Sequence, residues 1–304
     1  MASVQDIKRR VRSVRNTRKI TKAMELVAGA KLRRAVTRIE AMRPYADRML
    51  ELMTGTARAS ASVRGLPLLQ QREEVQTVLI VPFTADRGLA GGFNAQIMRH
   101  AFALERKLKA EGKAVRFAVV GKKGASTLRF RRYELEGVFQ GFTDRPEYGD
   151  AQAIGHRLAE LYTGEDVDEV IAIYNHFISP LVQRVTEQTV LPISEQLLAR
   201  EGQPEPEPES EAQERARIGD FIYEPEPEEI LARLLPVYLE TELYRALLES
   251  AASEQGARMT AMRNASSNAG ELIDRLTLAM NRARQSEITQ EILEVVAGAD
   301  ALTA

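Results

Sequence analysis

Cysteine and tryptophan are both absent from the 304 residues, and only three histidines occur. Without cysteine there is no disulfide, no thiolate metal site and no cysteine nucleophile, a composition that fits a reducing compartment. Of the histidines, His156 stands four residues before Glu160, one helical turn apart. Two such side chains do not make a metal site, and a solvated helix pair is the simpler expectation. No serine–histidine–acid arrangement or carboxylate pair can be argued from spacing. No catalytic, cofactor-binding or metal-binding residue is therefore assigned, and no cofactor is expected. No apolar run reaches the length of a membrane span. The opening MASVQDIKRR lacks the apolar centre of a signal peptide, so a bacterium-like cytoplasmic setting is expected.

What is present is unevenly distributed charge. The net charge is −1, yet up to Val36 the only acids are Asp6 and Glu25, against eleven lysines and arginines. From Glu201 to Glu229 the sign reverses, with acids at almost every second position. Such asymmetry points to charged partners or a solvated segment and says little about fold.

Three patterns follow one another along the chain. Residues 1–60 read as one long helix: Ile7, Val11 and Val14 start an apolar rhythm, Ile20, Met24 and Val27 carry it on, and Leu32 to Met53 extend it. Pro44 predicts a kink or loosened turn, because proline removes a backbone donor. A helix of this length would span on the order of 80 Å and needs a second long helix to cover its stripe. Over 73–200 the period changes. VQTVLIVPF, AVRFAVVG, DEVIAIYNHF and LVQRVTEQTVLPI read as strands, alternating with helices expected at Gly92–Ala110, Lys122–Phe130 and Asp150–Tyr162. That alternation predicts an α/β domain with a largely parallel sheet. Residues 201–226 form an acidic Pro-Glu linker, whose composition favours extended, solvated chain. Residues 227–304 are helical again, with Met259, Met262, Ala265, Ala269, Leu272, Leu276, Met280 and Ala283 at 3–4 spacing, followed by Ile288, Ile292, Val295 and Val296. The two terminal helices are expected to pair as an antiparallel coiled coil.

Three motifs invite a sharper function. DRGLAGGFN, Asp86 to Asn94, is a glycine-rich turn between strand and helix, but its glycines lack the dinucleotide spacing and no lysine–hydroxyl pair follows. A tight turn is the plainer reading, and a nucleotide-binding α/β enzyme the alternative. VVGKKGAS resembles a clamp for a nucleic-acid backbone, and equally an ordinary strand-to-helix turn. The cationic first helix could bind phosphates. Against that, no aromatics interleave with its cations, and its apolar stripe persists through them. A helix threading a cavity lined with acidic or polar partner surface would use such a bias. A nucleic-acid-binding protein remains the alternative at this level.

NTRKITKAMELVAGAKLRRA near the start, TADRGLAGGFN in the middle, and ARMTAMRNASSNAGELI with NRARQSEITQEILEVVAGADAL at the end resemble the gamma subunit of the F-type ATP synthase. YEPEPEEIL, from Tyr223, looks like the family's entry into its last helix. The resemblance implies a long antiparallel coiled coil of the terminal helices flanking a Rossmann-like α/β domain, and a central rotor shaft without a catalytic site. It implies as partners three alpha and three beta subunits around the shaft, the epsilon and delta subunits, and a membrane ring of proton-carrying subunits, with no nucleic acid. Location would be peripheral, on the cytoplasmic face of a bacterial membrane. Lys19, Lys22 and Met24 match the segment facing the beta subunits. Arg284, Gln285 and Thr289 match a polar set that bonds a beta-subunit loop. Asp86, Arg87, Gly88 and Asn94 match the globular-domain turn near the epsilon and proton-ring end. Ala90 stands where many members have cysteine, and the redox-active dithiol insertion of chloroplast relatives is absent, so no thiol control transfers.

Overall fold

The computed structural model describes residues 4–59, 65–72, 74–194 and 225–303. In chain order the elements are α1 (Val4–Ala59), β1 (Thr77–Pro82), α2 (Phe93–Ala110), β2 (Ala114–Val120), α3 (Lys122–Phe130), β3 (Leu135–Phe139), α4 (Tyr148–Thr163), β4 (Glu169–Phe177), β5 (Gln183–Leu191) and α5 (Pro227–Thr303). The Pro-Glu linker expected at 201–226 lies, up to residue 224, outside the described residues. Contacts divide the chain into two compact units, Met1–Ala30 with Arg258–Ala304, and Lys31–Ala257. Both α1 and α5 contribute to each unit.

The larger unit is built on a five-stranded sheet in the order β3-β2-β1-β4-β5. The first four strands run parallel and β5 pairs antiparallel with β4. Strand side chains alternate between faces, and at the central strands β1 and β4 both faces are covered, which is why these two read as nearly continuous apolar runs. Val78, Ile80, Phe117, Val119, Ile171 and Ile173 pack against α2 and α3. Leu79, Val81, Ala118, Val120, Val170 and Ala172 face α4 together with the parts of α1 and α5 in this unit. From those helices Met53, Ile154, Leu158, Leu235 and Leu243 are at most 1% exposed, each side chain contributing about 1.5–3 kcal/mol by leaving water. Among the carboxylates buried in this unit, Glu105 accepts hydrogen bonds from the Tyr133 hydroxyl at 2.8 Å and Lys109 Nζ at 2.7 Å, so its charge is paired.

The expected helices hold with boundary shifts of a few residues. α1 continues through Pro44, as α5 does through Pro236. β3 was not expected. Its LEGVF carries one β-branched residue and a glycine, and every position is only half-buried, as suits a sheet edge.

Two structural facts decide the glycine motifs. Gly121 has φ +90°, and a Cβ there would lie 2.1 Å from the Thr84 carbonyl oxygen. Gly124 is also crowded, with a Cβ position 2.6 Å from Thr84 Oγ1, and its amide donates to that hydroxyl at 2.8 Å. The close backbone approach that VVGKKGAS permits is thus used up by the protein's own β1 end.

Candidate functional site

In doubly wound sheets ligands bind outside the strand C-termini where strand order reverses, here between β1 and β4. α5 lies over that place. Ser250 Oγ donates to the Phe83 carbonyl at 3.4 Å and Ser253 Oγ to the Asn175 carbonyl at 3.0 Å. Ala251, Ala252 and Ser253 of this helix are buried. The position a nucleotide would take is filled by the chain's own helix.

The adjoining glycine-rich turn is organised by a carboxylate. Asp86 Oδ1 accepts the Lys122 amide at 3.0 Å, while Oδ2 accepts the amides of Gly141 at 2.8 Å and Thr143 at 3.1 Å. Thr143 Oγ1 donates to the same Oδ2 and accepts the Asp86 amide at 2.9 Å. One side chain so ties β1 to the start of α3 and to the segment after β3. Asn94 Oδ1 accepts the Ala85 amide at 2.8 Å, closing the turn from the first turn of α2. A Cβ on Gly88 would stand 3.6 Å from Lys123 Cε. Of the four residues singled out in this turn, Arg87 alone is exposed; Asp86, Gly88 and Asn94 are half-buried. A turn with a carboxylate at its centre is a poor phosphate cradle.

The smaller unit presents the charged surface. Within it α1 and α5 run antiparallel in a definite register. A Cβ on Gly29 would touch Met259 Sδ at 3.4 Å, Glu25 Oε1 accepts from Arg263 Nε at 3.1 Å, and a Cβ on Gly270 would touch Arg18 Cζ at 3.4 Å. Four residues separate Gly29 from Glu25 and Met259 from Arg263; seven separate Glu25 from Arg18 and Arg263 from Gly270. Each step back along α1 is matched by an equal step forward along α5. The expected stripe on α1 is displaced by about one residue. Ile20 and Val27 are exposed at 60% and 55%, and Met24 is half-buried, while Thr21, Glu25 and Ala28 are buried. The apolar side chains of this segment occupy more than one face, and the buried one includes a threonine and a glutamate that an apolar count passes over. On α5 the expected stripe holds at Met262 and Ala269, which are buried, while Leu272 is 41% exposed and its neighbour Ile273, outside the expected stripe, is buried in its place.

Glu25 is the only acid among the α1 residues of this unit other than Asp6. Lys22 Nζ donates to its Oε2 at 3.0 Å, and Arg263 grips Oε1. The hydrogen bond from Lys22, then that from Arg263, hold its pKa below the ordinary carboxylate value. Around it opens a groove of about 1260 Å³ lined by Arg12, Arg15, Arg18, Lys19, Lys22 and Arg263, among others. Lys19 and Lys22 are exposed, as are Leu26 at 65% and the two displaced apolar residues. At the other end of the register Val4 stands level with Arg284. Every residue from Arg284 to Gly298 is exposed, Ile288, Ile292, Leu293, Val295 and Val296 included. Arg284, Gln285 and Thr289 lie there, and Thr289 Oγ1 donates to the Gln285 carbonyl at 2.9 Å. Sequence reasoning missed the pairing of Glu25 with Arg263; a lone acid in a cationic helix was the signal available.

His156 and Glu160 form a 3.2 Å pair with both side chains solvated, and no cluster of potential metal ligands occurs among the described residues. No described helix is long and apolar enough to cross a membrane.

The family described as ATP synthase matches residues 3–302. The ATP synthase gamma chain of Rubrobacter xylanophilus is 45% identical over 304 residues, covering all of both chains. A chain of the central stalk and c-ring structure of the Tetrahymena thermophila mitochondrial ATP synthase aligns at 29% identity with TM-score 0.57, over 81% of this chain and 99% of that one. A chain of the Euglena gracilis mitochondrial ATP synthase shares the fold at 17% identity, with TM-score 0.68 over 98% and 94%. With its nucleotide crevice closed by its own helix and its terminal helices paired, the chain belongs to the ATP synthase gamma-chain family and is a non-catalytic, central rotor shaft of that proton-transporting complex.

Proposed function

We propose that the surface of the smaller unit is where this shaft meets the catalytic beta subunits, and that torque passes through it. The antiparallel helices would act there as a coiled coil inside a ring of three alpha and three beta subunits. Lys19, Lys22 and Met24 would face beta subunits on one side, and Arg284, Gln285 and Thr289 would bond a beta-subunit loop near the shaft's end. The observation that carries this reading is exposure where a soluble protein avoids it. Fifteen successive residues from Arg284 to Gly298 are solvated in the chain alone, five large apolar side chains among them. Such a face is covered in a partner.

In this reading residues 1–60 and 227–304 are the shaft, 73–200 the globular domain and 201–226 a linker. The domain would meet the epsilon subunit and the ring of proton-carrying subunits, with the delta subunit elsewhere in the complex. The assembly would be peripheral, on the cytoplasmic face of a bacterial membrane. Within the Asp86–Asn94 turn, Arg87 would make contact while Asp86, Gly88 and Asn94 shape the loop that presents it.

The test is a triple replacement, Arg284→Ala, Gln285→Ala and Thr289→Ala, in the reconstituted complex. Alanine preserves the helix, so helical content and assembly should be unchanged. Each lost charge-assisted bond removes about 1.5–3 kcal/mol from one rotational state, and ATP-driven proton pumping should fall at least tenfold. Normal pumping by the assembled triple mutant would remove these residues from the coupling surface.

A further inference from the structure

In the smaller unit, Ala28, Gly29, Ala269 and Gly270 lie along the contact between α1 and α5, with the larger side chains of Val11, Met262 and Ile273 also buried, and apolar packing of this kind specifies a register less sharply than a buried charge does. One feature of that contact is unlike the rest. Glu25 is 7% exposed, the single buried acid of the unit's α1 segment, and it is gripped from its own helix by Lys22 and from the opposite helix by Arg263.

We propose that Glu25 is a positioning residue that fixes the register and rotational phase of α1 against α5, and so aims the torque-transmitting face outward. The distribution of charge carries the argument. Sliding α1 by one heptad in one direction sets Glu25 against Gly270, leaving a desolvated carboxylate with no cation. Sliding it the other way sets Arg263 against Arg18, two like charges. Shifts of three or four residues offer Glu25 only Met259, Thr260, Ser266 or Ser267. Compared with shifts of three, four or seven residues, which keep the same faces of the two helices together, the observed register is the one that gives this acid an opposite charge from the facing helix. A misplaced register leaves a buried charge uncompensated, a penalty that a surface pair never carries. This is the role a single buried polar group plays in setting the register of paired helices.

The consequence concerns which side chains face outward. With Glu25 turned into the contact, Lys19, Lys22, Leu26 and Val27 are exposed. A slip of one heptad displaces them by about 10 Å along α5, enough to move every outward contact by a full repeat.

Because the chain has no cysteine, introduced pairs report the register directly. Gly29→Cys with Met259→Cys reads the observed register, and Gly29→Cys with Ser266→Cys reads a slip of one heptad. Cross-linking is measured on the full chain, both free and in the reconstituted complex. With Glu25 intact, the first pair should cross-link and the second should not. In Glu25→Gln, cross-linking of the first pair should drop at least threefold and the second should appear. The double reversal Glu25→Arg with Arg263→Glu should restore the first pattern. In the complex, protons pumped per ATP hydrolysed should fall at least threefold in Glu25→Gln and recover in the reversal. The pumping measurement rests on the rotor-surface reading; the cross-links do not. If Glu25→Gln keeps the cross-linking pattern unchanged, or the folded reversal fails to restore it, the proposal is wrong whatever pumping does. If cross-links shift while pumping is unchanged, Glu25 sets the register but does not position the coupling surface, and that half of the proposal is overturned.

Discussion

At the scale of single residues, the close contacts hold turns together rather than bind ligands. Gly121 is the tightest case. Its φ of +90° and the 2.1 Å that would separate a Cβ from the Thr84 carbonyl oxygen leave no room for a side chain. Gly121→Ala should therefore destabilise the larger unit by about 3 kcal/mol or more, combining left-handed strain with a backbone clash. A denaturant titration of the full chain reads this as a lowered midpoint at unchanged slope; an unchanged midpoint would show that β1 and α3 can separate freely. Glu25 gives a residue-scale prediction with a sign. Its pKa is lower folded than unfolded, so its contribution is fully present above about pH 4.5 and is lost as pH falls through the lowered folded value. The stability gap between the wild-type chain and Glu25→Gln should be constant near neutrality and close below pH 4.5. A gap that persists to pH 2 would mean the carboxylate's charge is not what stabilises the pair.

At the scale of elements, α5 does two different jobs in its two parts. Its first part is a core helix of the larger unit, and it brings buried tyrosine with it. Tyr238 on α5, Tyr148 and Tyr162 on α4 and Tyr174 on β4 all have raised pKa values, in each case chiefly because burial disfavours the phenolate. Tyr174 is pushed up to about 12. An unfolded tyrosine ionises near 10. A group whose folded pKa is raised contributes stability that is whole below the unfolded value and is lost above it. The larger unit should hold its stability to about pH 9.5 and lose it steeply between 10 and 12. Thermal melts across that range check the slope, and Tyr238→Phe should flatten it. The second part of α5 belongs to the smaller unit, where α1 accompanies it only as far as the level of Val4. Beyond that point the helix is polar and apolar by turns on every side, and every residue of it up to Gly298 is exposed.

For the molecule as a whole, a net charge of −1 conceals a cationic α1 and an acidic Pro-Glu segment. That segment contains too little apolar surface to stabilise anything by burial. Deleting Gln203 to Glu211, which lie outside the described residues, should leave assembly and ATP hydrolysis of the reconstituted complex within about twofold of the intact chain's, since a segment that buries so little apolar area contributes little to folding or docking. Loss of assembly on deletion would identify the segment as a docking element and overturn the reading of it as a linker. The absence of cysteine from the entire chain makes these comparisons insensitive to thiol oxidation.

The sequence by itself determined that long helices stand at both ends, that strands and helices alternate between them, and that no dinucleotide or triphosphate loop is spelled out. Those properties are local: helical period, β-branched density and motif spacing are carried by residues within a few positions of one another. The helix Lys122–Phe130 could be read to the residue for that reason. The long terminal motifs were likewise legible as a family resemblance. Tertiary structure alone decided the rest. Ile20 and Val27 face solvent while Thr21 and Glu25 are buried, because the phase of a helix is set by the partner that covers it, and an ion pair to Arg263 outweighs an apolar count. LEGVF is a strand because β2 supplies its hydrogen bonds along one edge, not because its residues favour one. Asp86, matched by resemblance to the globular-domain turn, has its carboxylate committed to Lys122, Gly141 and Thr143, and Ser250 and Ser253 close the sheet's crevice from far along the chain. Each of these depends on groups brought together across tens or hundreds of residues, where the free energy lies in the contact and neither partner's sequence contains it.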